Sequence, residues 1–187
     1  MSEHSRSSAT FKNYAISLGI IVAIVLVLAL VVSTRSGESI PSVDYRPEAE
    51  VLREAADYPV TMPAENLAEQ GWTPTSSTLE TQGPVEWSVG FATPGDSHVM
   101  FTQSDGDPGE VAAARSRGAE TIGTVSVGGR EWEHRESEDW SALVLAEDGR
   151  TLVVAGPADL DELARFAGGL ETSGAGGEPA DGPSEES

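Results

Sequence analysis

The chain of 187 residues contains no cysteine. That absence excludes disulfides, thiolate zinc sites, cysteine nucleophiles and thiol-linked lipid anchors, the bacterial lipoprotein anchor among them. Lysine occurs once, at Lys12, so no Gly-rich phosphate loop has the lysine it needs. Positive charge is scarce throughout: 11 Lys plus Arg stand against 31 Asp plus Glu, a formal net charge of −20. Nucleic acid and anionic headgroups repel such a surface, because both are dense in negative charge. Solubility accounts for the excess, and a basic or cationic ligand is the other reading. Aromatic residues make up only 6% of the chain.

The charge is unevenly placed. From Ala15 to Val32 there is none, and only Ser17 and Gly19 interrupt an Ile/Val/Leu/Ala run. A membrane helix needs about 20 apolar residues to cross the hydrocarbon core. Tyr14 suits the interface at one end, and every face of the helix is apolar, so no soluble packing leaves one side wet. A cleaved signal peptide is the competing reading, but no Ala-x-Ala follows the run. Beyond it, 9 arginines face 30 carboxylates. An acidic domain is a poor neighbour for an anionic inner leaflet, so the C-terminal part is expected outside the cytoplasm. The expected organisation is a cytoplasmic tail over 1–14, a transmembrane helix over 15–33, a linker over 34–46, an extracytoplasmic α+β domain over 47–170 and a disordered acidic tail over 171–187.

Within the domain, Pro47 opens a short helix over Glu48–Asp57, with Val51, Leu52 and Ala55 on one apolar face. Pro59 and Pro63 keep the next segment extended. Strands are expected at Thr75–Thr81, Val85–Phe91 and His98–Gln103. A helix follows, with Asp107 as cap, Pro108 at its first position and Glu110 completing a capping box. A second half repeats the order. Thr124–Val127 and Arg130–Glu136 flank the Gly128-Gly129 turn, and Trp140–Ala146 and Thr151–Ala155 flank Asp148-Gly149. Thr151–Ala155 is continuously apolar, as a central strand is. Asp159 and Glu162 then cap a helix whose Leu160, Leu163, Phe166, Ala167 and Leu170 recur at helical spacing. The expected fold class is α+β: a two-layer domain, an antiparallel sheet with helices on one face, built from two β-β-β-α units. True duplication and chance likeness of simple units both fit that order.

These residues resemble a known family, the actinobacterial single-span membrane proteins grouped as domain of unknown function 4245. The resemblance rests on Gly71-Trp72-Thr73-Pro74-Thr75, on Trp87-x-x-Gly90-Phe91 leading to Thr93-Pro94, and on Gln103-Ser104-Asp105. Gly128-Gly129-x-x-Trp132 and Leu160-Asp161-Glu162-Leu163 complete it. It covers nearly all of 14–170 and implies a membrane-anchored envelope protein, with no catalytic residues to carry over. A fainter likeness is to the extracytoplasmic domains of regulators of alternative sigma factors, by analogy of a closing hairpin, strand and acidic-Leu helix.

Candidate chemistries are thin. His98 and His134 fall on expected strands, with Glu131, Glu133 and Glu136 near the latter; edge positions explain them better than zinc does. His4 lies before the apolar run. Asp105-Gly106-Asp107 with Glu110 has the look of a calcium loop but lacks its further oxygen ligands, and a turn with a helix cap explains it. No Gly-x-Ser-x-Gly elbow surrounds Ser88 or Ser97. Trp72, Trp87, Trp132 and Trp140 are expected mostly in the core, with a ligand groove as the alternative. The expectation is therefore a non-catalytic protein with no catalytic, metal or cofactor-binding residues and no cofactor. Its partners would be the membrane, through one helix, and a protein, peptide or cell-wall ligand, but not nucleic acid. An envelope hydrolase and a sensor signalling across the membrane are the alternatives.

Overall fold

A computed structural model describes residues 16–27 and 42–172. The chain divides into two compact units, Met1–Ser39 and Ile40–Ser187. In the first, residues 16–27 are helical and exposed along their length. Of the span expected over 15–33, the remainder lies outside the described residues, as do 1–14, most of the linker and 173–187. Among the described residues no helix is long and apolar enough to cross a membrane.

The second unit is α+β. Its helices are α1 (Arg46–Ala55), α2 (Pro108–Arg115) and α3 (Leu160–Gly168). Its strands are β1 (Thr61–Pro63), β2 (Thr73–Glu80), β3 (Glu86–Ala92), β4 (His98–Ser104), β5 (Glu120–Val127), β6 (Arg130–Glu136), β7 (Ser141–Glu147), β8 (Arg150–Gly156) and β9 (Leu170–Thr172). Seven strands form one antiparallel sheet in the order β2-β3-β4-β8-β7-β6-β5, and β1 pairs with β9 as a second, two-stranded sheet. Gly128 and Gly129 have φ of +60° and +77°, and Asp148 and Gly149 have +47° and +76°. Both hairpins therefore turn with two left-handed central residues, the geometry that matches strand twist.

β8 is buried at every position, as a continuous apolar strand between two partners requires. Its alternate residues serve different cores. Leu152 and Val154 join Trp72, Trp87, Phe101, Trp132 and Phe166 in the main one. Val153 and Ala155 join Val111, Ala112, Ala142 and Val144 on the opposite face. Leu163 and Phe166 of α3, like Ala49 and Leu52 of α1, belong to the main core. Phe166 sits at the centre of an aromatic cluster, 4.9 Å from Phe91, 5.1 Å from Trp72 and 6.3 Å from Phe101 between ring centroids.

Helices on a single face is thus corrected: α1 and α3 cover one face of the sheet and α2 the other, giving three layers. The reason is topological. β4 lies mid-sheet and β5 at the far edge, so the connection must cross β8, β7 and β6, and the small apolar residues of β8 and β7 accept Val111 and Ala112. The pair of β-β-β-α units is corrected with it. The second unit has four strands before its helix. A twofold axis relating β4 to antiparallel β8 would also leave both helices on one face.

Smaller departures have local causes. On α1 the buried residues are Ala49 and Leu52, while Val51 is 50% exposed. The caps of α2 and α3 are half boxes: Asp107 accepts from the Glu110 N–H at 3.0 Å and Asp159 from the Glu162 N–H at 2.8 Å. The Glu162 carboxylate instead accepts from the Gly95 N–H in the β3–β4 turn. Strand β9 carries regular structure through Thr172, two residues past the boundary expected at 170.

Candidate functional site

A groove of about 700 Å³ opens where the chain enters the second unit. Residues 42–45 lead into α1 without regular structure, and the Val43 N–H donates to the Pro74 carbonyl at 2.9 Å, seating this leg beside the start of β2. Asp44 Oδ1 accepts from the Arg46 N–H, and Pro47 in the first turn fixes the helical φ, so α1 begins here. The Tyr45 ring lies 5.8 Å from Trp87 and 5.9 Å from Phe91. Burial pushes its phenol above the ordinary range, outweighing the lowering effect of Arg46.

The floor is formed by Leu67, Trp72 and Phe91, all but fully buried, and Met62 of β1 supplies a partly exposed wall. Four carboxylates line it, Asp44, Glu50, Glu65 and Glu171, against two guanidiniums, Arg46 and Arg53. Arg46 and Glu65 approach to 3.9 Å, but both are largely exposed, so the pair contributes little to stability. Among the described residues, Glu50 and Glu171 have no cation within 4 Å. The indole N–H groups of Trp72 and Trp132 are both buried without an acceptor. Among the described residues no imidazole lines the groove, and its hydroxyls are Ser42 and Tyr45. Its lining thus carries an excess of two carboxylates over guanidiniums above a buried apolar base.

The residues singled out in the sequence do not converge. His98 is exposed at the start of β4 on the α2 face, its ring 6.0 Å from Trp140. His134 is buried on β6, on the Trp132 face, with Nε2 unpartnered. The two imidazoles are on opposite faces with β8 and β7 between their strands. Glu133 is engaged by the Thr121 hydroxyl at 2.5 Å and Arg135 Nε at 2.6 Å. The Thr121 hydrogen bond, then Arg135, holds its carboxyl below the usual range against the opposing effect of burial. Among the described residues no three His, Asp or Glu side chains are grouped to hold a metal. Asp105 accepts from the Val85 N–H at 2.7 Å and Asp107 caps α2, which accounts for that acidic turn. Ser88 bonds Thr102 at 2.8 Å, and Ser97 closes a turn on Thr93. Trp72, Trp87 and Trp132 are buried, while Trp140 is half-buried under the Arg117 guanidinium at 3.7 Å.

Two buried polar side chains escaped the sequence reading. Gln103 is fully buried, and its amide accepts from the Thr61 N–H at 3.0 Å and donates to the Thr61 carbonyl at 2.7 Å. It thereby acts as a third strand beside β1. Arg150, whose side chain is also fully buried, donates to Thr61 Oγ1 and Glu147 Oε1 at 3.2 Å and to Thr172 Oγ1 at 3.4 Å. Together they pin the small sheet, and with it the wall of the groove, to β4 and β8. The inward register shared with Val99 and Phe101 was the available signal for Gln103.

A family model described as "Protein of unknown function (DUF4245)" matches residues 6–170. No curated protein and no solved structure matches the chain.

Proposed function

The chain belongs to the family of proteins of unknown function DUF4245, and from that premise we propose a non-catalytic binding protein of the cell envelope, carried on one N-terminal membrane span with its α+β domain outside the cytoplasm. The uncharged run from Ala15 to Val32 supports the span. The acidic excess after it supports the orientation, because such a domain is repelled by an anionic inner leaflet. The observation that carries the binding reading is the groove beside α1. It has the volume of ordinary ligand sites, and its lining combines the partly exposed Met62 and Tyr45 with charged side chains of both signs.

The anchor and its orientation are tested together. Full-length chain is expected in the membrane fraction and resistant to alkaline extraction, with a C-terminal reporter active only outside the cytoplasm. Intact chain in the soluble fraction, or a reporter active inside, overturns the proposal.

A further inference from the structure

We infer that β5 is a docking edge for a second copy of this chain, whose own β5 pairs with it antiparallel across a twofold axis. The seven-stranded sheet ends in two edge strands, β2 and β5. A free edge presents unpaired N–H and C=O groups, and folded proteins blunt it with proline, lysine, bulges or covering segments. β2 is blunted over its first half. Pro74 has no N–H, the register shifts between Pro74 and Ser76, and the Val43 N–H takes the Pro74 carbonyl. β5 runs for eight residues, Glu120–Val127, with no proline and no lysine. Among the described residues β6 is its only backbone partner. Its one irregularity, the shift between Thr121 and Gly123, leaves Ile122 without a partner on β6. Ile122 is 56% exposed, and among the described residues of the second unit only Val51 is a comparably exposed large apolar side chain.

Three features of the strand favour its own copy as the occupant. Thr121, Ile122, Thr124, Val125 and Val127 are β-branched, the side chains that pair well across strands. Glu120 is the only charge and lies at one end. Antiparallel pairing therefore sets the two Glu120 carboxylates at opposite ends of the ladder, where parallel pairing would stack them. Val125 packs against the main core but is only partly buried, and a strand laid alongside removes further surface of Val125 and Ile122 from water. Twofold pairing closes on itself, so assembly stops at a dimer. Opposing it is the net charge of −20 on each copy, a repulsion that salt screens.

Because the chain lacks cysteine, one introduced thiol reports the contact. Thr124→Cys stands mid-strand on β5 and Ser76→Cys on β2, both at exposed positions. In full-length chain in nonionic detergent under mild oxidation, Thr124→Cys is expected to form a disulfide-linked dimer at least tenfold faster than Ser76→Cys, since thiols across a strand pair lie within bonding reach. The cysteine-free parent should sediment largely as dimer at about 0.1 mM, and more so as salt rises. Ile122→Lys should abolish that dimer and slow the Thr124→Cys cross-link at least tenfold, while Val51→Lys, the same charge change on α1, alters neither. Both lysines reduce the net negative charge, so a loss confined to Ile122→Lys is not electrostatic. A monomeric parent overturns the inference and leaves the edge to a strand of another protein. Equal cross-linking from Ser76→Cys and Thr124→Cys, or equal dimer in the two lysine variants, places the contact elsewhere and overturns it too. A dimer that dissociates as salt rises is held by ion pairs, which this edge does not offer, and is equally fatal.

Discussion

Replacing Gln103 with Leu keeps the side-chain volume nearly constant and removes both hydrogen bonds that Gln103 makes to the Thr61 backbone. Thr61 is fully buried, so its N–H and C=O would be left without water or a protein partner. Each buried group left unsatisfied costs roughly 1–3 kcal/mol, or about 4 kcal/mol for the two at mid-range. The added apolar burial of Leu offsets about 1 kcal/mol of that. The net loss of about 3 kcal/mol should lower Tm by about 10 °C, at the roughly 3–4 °C per kcal/mol expected for a domain of this size. Thermal unfolding followed by tryptophan fluorescence measures the loss, and amide exchange locates it. The Thr61 N–H should become one of the faster amides of β1 while β8 amides slow or speed only with global stability. A loss under about 1 kcal/mol with Thr61 still protected would refute the claim that an amide side chain stands in for a strand.

Gly156→Ala should destabilise the domain by about 1–3 kcal/mol, because a methyl there would overlap the His98 carbonyl of the neighbouring strand; equilibrium unfolding checks it, and a neutral result would place β4 and β8 farther apart. Glu133→Gln tests the acid limb of stability. Glu133's folded value is depressed, so its contribution is present above the ordinary carboxyl value of about 4.3 and lost as pH falls through the folded one. The variant should therefore show a shallower fall in Tm below about pH 4 than the parent, and superimposable acid limbs would count against it. Truncation after Leu170 deletes the Thr172 hydroxyl that meets both Thr61 and Arg150, whereas truncation after Thr172 leaves β9 whole. The shorter chain should melt several degrees lower than the longer one, and equal melting would show β9 to be dispensable.

Local signals in the sequence were informative wherever one residue type does one physical job. Gly128-Gly129 and Asp148-Gly149 marked hairpins because both central positions need positive φ. Asp107 and Asp159 marked helix starts because a short side-chain acceptor meets the N–H three residues on. What could not be read was set by distant partners. Leu170-Glu171-Thr172 is a strand only because β1 lies beside it. The first half of β5, Glu120–Gly123, is exposed on both sides and carries no alternation to detect. The side on which α2 packs follows from where β5 joins the sheet, not from the pattern of α2 itself. The groove was invisible for the same reason, since its walls come from the entry leg, β1, the turn before Trp72, β3 and β9.

The two faces of β8 bear unequal loads. One supports three fully buried tryptophans and Phe166; the other supports little beyond valine and alanine, with Trp140 at its margin. Sub-global opening starts where the least apolar surface must be hydrated, which is the α2 side. Since α2 is also the covalent link from β4 to β5, that bridge can peel away while β4 stays zipped to β8. Cohesion between the halves thus belongs to a strand ladder more than to the stretch of chain that joins them.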